Sequence, residues 1–246
     1  MTILQFHPPV IAHRGASAYA PENTLAAFTK AAQMGIKWVE FDVMQAACGE
    51  PVIFHDELLD RTTDGHGEVG NFPYSVLAKL DAGAWFDPIY AGERIPTLLH
   101  ILEFLHNFNM SANIEIKALP GQEEQLVKRV LQDMAISAPF TRGRILFSSF
   151  STDALRFLRQ YDPDCLIGLL QHEWDPEWQA LCASLGCVSV HANDEILTAD
   201  VAQKIKGMGK ALLCYTVNSP VRAQELYSWG VDAVFSDAPD KILDVL

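Results

Sequence analysis

Long hydrophobic runs are missing from this sequence: no window approaches the ~18 consecutive apolar residues that a membrane-spanning helix needs. Met1 to Val10 has no basic stretch leading into an apolar run, so no secretory leader is expected either. Cysteine is sparse. Cys48, Cys165, Cys182, Cys187 and Cys214 make an odd set with no C-x-x-C pair, which argues against a disulfide framework and a structural zinc site and for a reducing, cytoplasmic setting. Positive charge is also short: 18 Lys+Arg stand against 31 Asp+Glu, a net −13 with no basic tract. Nucleic-acid binding by counterion release and stable adhesion to an anionic membrane are therefore not expected. A small anionic ligand stays compatible with this balance if its site is locally positive. Internal repeats, low-complexity tracts and an interdomain linker are absent as well.

What is present is an ordinary globular composition, 49% hydrophobic and 20% charged, over 246 residues. That length suits a single α/β barrel spanning residues 1–246. Eight β-rich runs are predicted as strands: Val10–His13, Lys37–Val43, Ala112–Ile116, Ile145–Ser148, Leu166–Leu170, Val188–Ala192, Ala211–Thr216 and Ala233–Ser236. Segments with apolar residues at helical spacing lie between them: Thr24–Met34 after an Asn23/Thr24 cap, Thr97–Phe108, Glu123–Met134, Thr152–Gln160, Pro176–Leu185, Ala199–Met208, Pro220–Trp229 and Pro239–Val245. This alternation predicts a closed (β/α)8 TIM barrel. The rhythm breaks after a short run Val52–His55, where residues 57–96 are rich in Gly, Asp, Pro and aromatics. The stretch is too long for a bare loop and is expected to be a small insertion with structure of its own.

Chemistry concentrates at a few strand ends. In Trp38-Val39-Glu40-Phe41-Asp42-Val43 two carboxylates alternate with apolar residues, and a strand puts residues two apart on one face, about 7 Å from each other. Inside a barrel, Glu40 and Asp42 would point inward and demand a cation, a basic side chain or a proton; on an exposed edge they would simply be solvated. Asn113-Ile114-Glu115-Ile116-Lys117 repeats the pattern, with Glu115 and Lys117 on the inner face. Three carboxylates on two strands make an oxygen-rich site of the kind Mg2+ or Ca2+ prefers, with Mn2+ as a further candidate. Lys117 is then either a cation beside the metal or a plain salt-bridge partner. His13-Arg14 closes the first strand and His55-Asp56 the short run, offering proton transfer near neutrality and a guanidinium fork for phosphate oxygens.

Read together, His13-Arg14-Gly15, Pro21-Glu22-Asn23-Thr24, Glu40-x-Asp42, Pro51-Val52 with His55-Asp56, Arg61-Thr62-Thr63 with Gly65-x-Gly67, and Glu115-x-Lys117 resemble, in that order, the glycerophosphodiester phosphodiesterase family. Ser148-Ser149-Phe150, Tyr215-Thr216-Val217-Asn218 and Ser236-Asp237 extend the likeness to about residues 10–240, and Cys187-Val-Ser-Val-His191 is similar to the cytosolic bacterial members. The resemblance implies a divalent metal on Glu40, Asp42 and Glu115 and an acid/base pair of His13 and His55. It further implies that Arg14 and Lys117 bind the phosphate, and that Tyr215, where many members carry Trp, walls the substrate pocket. The implied activity is hydrolysis of deacylated phospholipid headgroup diesters to glycerol 3-phosphate and an alcohol. Attack by water and attack by the glycerol 2-hydroxyl through a cyclic phosphate both stay open, as do a monomer and a homodimer. Two rival readings are a phospholipase-like enzyme acting on intact lipid and a noncatalytic barrel that binds phosphate compounds.

Blander readings fit the other noticeable residues. Glu22 is a candidate buttress for Arg14, Asn218 a loop residue or substrate contact, and His191 and Asn193 weak site candidates near a strand end. Trp85 and Phe86 are expected to pack within the insertion. His66, His100, His106 and His172 are expected at the surface or as satisfied core residues, and the cysteines as apolar filling.

Overall fold

The computed structural model describes residues 4–137 and 142–246; Met1 to Ile3, the start of the stretch read as leaderless, lie outside the described residues. In chain order the elements are β1 (Val10–His13), α1 (Leu25–Gln33), β2 (Trp38–Gln45), β3 (Pro51–Ile53), α2 (Tyr74–Leu77), α3 (Leu98–Asn107), β4 (Ser111–Ile116), α4 (Glu123–Ile136), β5 (Ile145–Ser149) and α5 (Thr152–Tyr161). There follow β6 (Leu166–Gln171), α6 (Trp178–Ser184), β7 (Ser189–Asn193), α7 (Ala199–Gly207), β8 (Ala211–Tyr215), α8 (Pro220–Ser228), β9 (Ala233–Ser236) and α9 (Pro239–Leu243). Strands β1, β2 and β4 to β9 pair in parallel, and β1 closes the ring by pairing with both β2 and β9. The architecture is a (β/α)8 TIM barrel.

Strand parity sorts the side chains. Val39, Phe41, Val43, Ile114, Ile116, Phe147, Ile167, Val190, Cys214 and Val234 face outward into the apolar layer shared with the helices. Ile11, Trp38, Leu146, Leu213, Ala233 and Phe235 fill the inside, and Phe6 covers the N-terminal end by packing on Trp38 with ring centroids 4.8 Å apart. This arrangement leaves only the C-terminal ends of the strands open for chemistry. The helices begin where the chain supplies capping oxygens: Thr24, Ser151, Thr198 and Ser219 accept from the first-turn N–H groups of α1, α5, α7 and α8.

Two features add to the sequence reading. The run expected from Val52 is β3, and it lies antiparallel to the extended end of β2, with Val43 opposite Ile53 and Gln45 opposite Pro51. It is therefore the returning arm of a hairpin and not a barrel strand. Residues 57–96 hold three short 3-10 turns and α2, organised over a separate cluster of Met44, Val52, Phe54, Leu59, Leu77 and Ile95. The core of the insertion thus borrows from the hairpin that precedes it.

Candidate active site

Glu40 and Asp42 come from β2 and Glu115 from β4, with Asp42 and Glu115 opposite each other in register. Glu40 and Asp42 are buried, Glu115 is half-buried, and one carboxylate oxygen from each lies within 4.8 Å of the others. Desolvation, then the charges of Asp42 and Glu115, push the Glu40 carboxyl well above the usual carboxylate range. Desolvation and then Asp42 push Glu115 up to about 8. Asp42 goes the other way: burial opposes its charge, but Arg14, Lys117, His55 and the Asn23 amide together hold it low. Three hard oxygen donors strained by mutual repulsion fit a divalent cation.

Arg14 and Asn23 are carried on the loop after β1, both with left-handed backbone (φ +54° and +59°). The Arg14 N–H donates to Glu40 Oε2 at 2.9 Å, and its guanidinium donates to Glu22 at 2.9 Å while its Nε lies 3.5 Å from Asp42. Gly15 (φ +83°) follows because a Cβ there would stand 2.6 Å from that of Ala27. Asn23, expected to share the helix cap, instead donates to Asp42 Oδ2 at 2.9 Å and leaves the capping to Thr24. Lys117 Nζ sits 3.7 Å from Asp42 Oδ1.

The two histidines are held alike. His13 Nδ1 is 2.7 Å from Asp237 Oδ1, and His55 Nδ1 is 2.5 Å from Asp56 Oδ1. An ionised carboxylate only accepts, so each Nδ1 carries its proton and each Nε2 is left available. His13 Nε2 is 3.9 Å from Glu40 Oε2. Burial pushes His55 below the usual imidazole range against the pull of Asp42. Asp237 is lowered to about 2 despite desolvation, because His13, Asn218 and Ser17 all hydrogen-bond to it. Arg61 clamps Asp56 and Glu22 at once, with contacts of 2.6–3.0 Å. A continuous chain therefore links His55, Asp56, Arg61, Glu22 and Arg14.

His13, Arg14, Glu40, His55, Glu115, Lys117 and Tyr215 all line one cavity of about 400 Å³. Asp42 lies beneath it. Tyr215 packs edge-on against Phe150 and Phe235. Sequence reasoning assigned no role to Asp56, Arg61 and Asp237, although the adjacency of Asp56 to His55 and the place of Asp237 just past β9 were available signals. His172, read as a surface or core residue, lines the cavity beside Asn193. Asn218 serves Asp237, donating to its carboxylate at 2.7 Å. His191 is fully buried inside the barrel on Ser189 and does not reach the cavity. His66 meets Asp60, and His100 completes the capping box of α3 with Thr97. Trp85 and Phe86 pack with Tyr90 in the insertion. Cys48 is exposed, not apolar filling, whereas the other four cysteines are buried.

Residues 13–241 match the family model described as the glycerophosphoryl diester phosphodiesterase family. Among curated relatives, a glycerophosphodiester phosphodiesterase of Caldanaerobacter subterraneus subsp. tengcongensis is 35% identical, covering 96% of this chain and 97% of that one. One of Bacillus subtilis is 32% identical over 94% of this chain and 83% of its own. The structure of an Oleispira antarctica phosphodiesterase, solved in complex with the product sn-glycerol-3-phosphate, superposes with a TM-score of 0.93 at 40% identity, covering 97% of this chain and 96% of that one.

Proposed function

The chain belongs to the glycerophosphoryl diester phosphodiesterase family and is a phosphodiester hydrolase, and from that premise we propose that it cleaves glycerophosphodiesters of deacylated phospholipid headgroups to glycerol 3-phosphate and an alcohol. The observation that carries the reading is the convergence of two carboxylate-held histidines and three carboxylates on one cavity.

Arg14 and Lys117 attract the diester, since with a divalent ion held by Glu40, Asp42 and Glu115 the positive charges outweigh the three carboxylates. Mg2+, Ca2+ or Mn2+ at that site would supply Lewis-acid polarisation of a phosphoryl oxygen. Of His13 and His55, one takes the proton from the attacking hydroxyl through Nε2 and the other delivers a proton to the leaving alkoxide. Asp237 and Asp56 fix the tautomers and favour the imidazolium form as it develops. Tyr215 and Phe150 wall the cavity and exclude water around the bound glycerol phosphate. A cavity of about 400 Å³ suits a deacylated diester and not a lipid with its acyl chains. Among the described residues no helix is long and apolar enough to cross a membrane; the odd, unpaired cysteine set supports a reducing, cytoplasmic setting for the reaction.

The test is release of glycerol 3-phosphate from glycerophosphocholine with and without chelator. Chelator-sensitive release is expected. Hydrolysis of intact diacyl phospholipid with none of the deacylated diester would select the phospholipase reading instead, and binding without turnover the noncatalytic one.

A further inference from the structure

Beside the main cavity lies a second, of about 150 Å³, and the two share Glu115, Lys117 and Phe150. A diester with its phosphate between Arg14 and Lys117 must send its two arms in different directions. The main cavity runs past His172, Asn193 and Thr216, whose amide, imidazole and hydroxyl groups suit an uncharged polyol. The smaller cavity is different in kind. Met44, Ile116, Ala118, Leu119 and Phe150 give it an apolar side, Ser149 and Ser151 add hydroxyls, and beyond the shared Glu115 and Lys117 it gains the Glu57 carboxylate. Glu57 is exposed and has no ion-pair partner among the described residues. The neighbouring ammonium of Lys117 is turned to Asp42, 3.7 Å away. An apolar, aromatic wall with a spare negative charge is a receptor for an alkylammonium group.

Resting on the phosphodiesterase reading, we propose that the smaller cavity receives the alcohol arm of the diester and that Glu57 and Phe150 make it selective for alcohols carrying an ammonium group, choline and ethanolamine. The ammonium lies against the Phe150 face within reach of the Glu57 carboxylate, and a neutral alcohol of the same shape gains only the apolar contact. Because Glu57 is in contact with water, its attraction is modest and weakens with salt.

The measurement compares glycerophosphocholine with its uncharged carbon isostere, the 3,3-dimethylbutyl diester, as a ratio of kcat/KM at low ionic strength. The wild-type protein should favour the choline diester by about five- to tenfold. Glu57→Gln should cut the ratio below twofold, Glu57→Lys should invert it, and 0.5 M salt should narrow it in the wild type while leaving Glu57→Gln almost unmoved. A ratio near one in the wild type, or one that Glu57→Gln does not move, overturns the subsite. Dissociation constants of the same two diesters for His13→Ala, measured by calorimetry, keep the question separate from turnover. If neither diester is hydrolysed but the choline preference in binding survives and depends on Glu57, the subsite stands and the hydrolytic reading falls; equal binding overturns the subsite whatever the catalytic result.

Discussion

Asp237 is separated from His13 by almost the whole chain, and its loss should be read at the chemical step. In Asp237→Asn the amide can present its NH2 to Nδ1, stabilising the tautomer with its proton on Nε2, so kcat is expected to fall by about 10²-fold or more while metal binding persists. Steady-state kinetics on a metal-loaded, folded variant check this, and an unaltered kcat would remove the Asp237–His13 pair from the reaction. A different histidine is expected to contribute to acid sensitivity. His191 is fully enclosed, with Nε2 on Ser189 at 2.9 Å and no partner for Nδ1, and desolvation lowers it to about 3. A base whose folded pKa lies below its unfolded value of ~6.5 binds fewer protons in the native state. Its contribution is thus present above pH 6.5 and is lost as pH falls from there towards about 3. His191→Gln should flatten the decline of Tm between pH 6.5 and 4.5, an effect visible in thermal melts; an equal decline in both proteins would assign it elsewhere. Neighbouring Gly168 has no room for a Cβ, which would collide with that ring, so Gly168→Ala should not be tolerated without displacing it.

Among the elements, the eight barrel strands were legible because alternation of apolar and polar residues forces parity, and parity alone set Glu40, Asp42, Glu115 and Lys117 on the inner face. Their ends were legible to within about two residues. The insertion was legible only as a break in rhythm. Its turns are held by carboxylates accepting from loop amides, as Asp81 does from Gly83, Ala84 and Gly92, and such bonds leave no periodic trace. The reversal of β3 was hidden for a similar reason: three residues are too few to announce a direction. The position of Asp237 just past β9 was legible, but its pairing with His13 was not, since nothing local in the sequence couples the two. Arg61 tests the join between insertion and barrel. Being nearly half exposed, it should matter little to stability, but it orients Asp56 and so His55. Arg61→Gln is expected to lower kcat by about tenfold with Tm within about 2 °C of wild type; a large drop in Tm with kcat preserved would make the clamp structural instead.

For the whole molecule, an ion held by the carboxylate trio would link binding to folding. Glu40 and Glu115 are crowded by like charge in a place that water hardly reaches, and a cation binding the native state alone stabilises it by mass action, about 2.7 kcal/mol at a hundredfold excess over Kd. Metal should therefore raise Tm by several degrees and chelator reverse it, with Glu115→Gln abolishing most of the shift; melts insensitive to Mg2+, Ca2+ and Mn2+ would argue that no ion is held there. The barrel supplies that trio from its own staves. His55 does not stand on a stave. It stands just past β3, folded back along the extended end of β2 with Ile53 opposite Val43 and the Phe54 N–H donating to the Asp42 carbonyl, so its height above the mouth is a matter of hairpin register: a two-residue slip would carry it about 7 Å along β2. His13 and His55 are thus carried by two different neighbours of β2, a barrel strand and a hairpin arm, and the reach between the two rings follows the register of the hairpin.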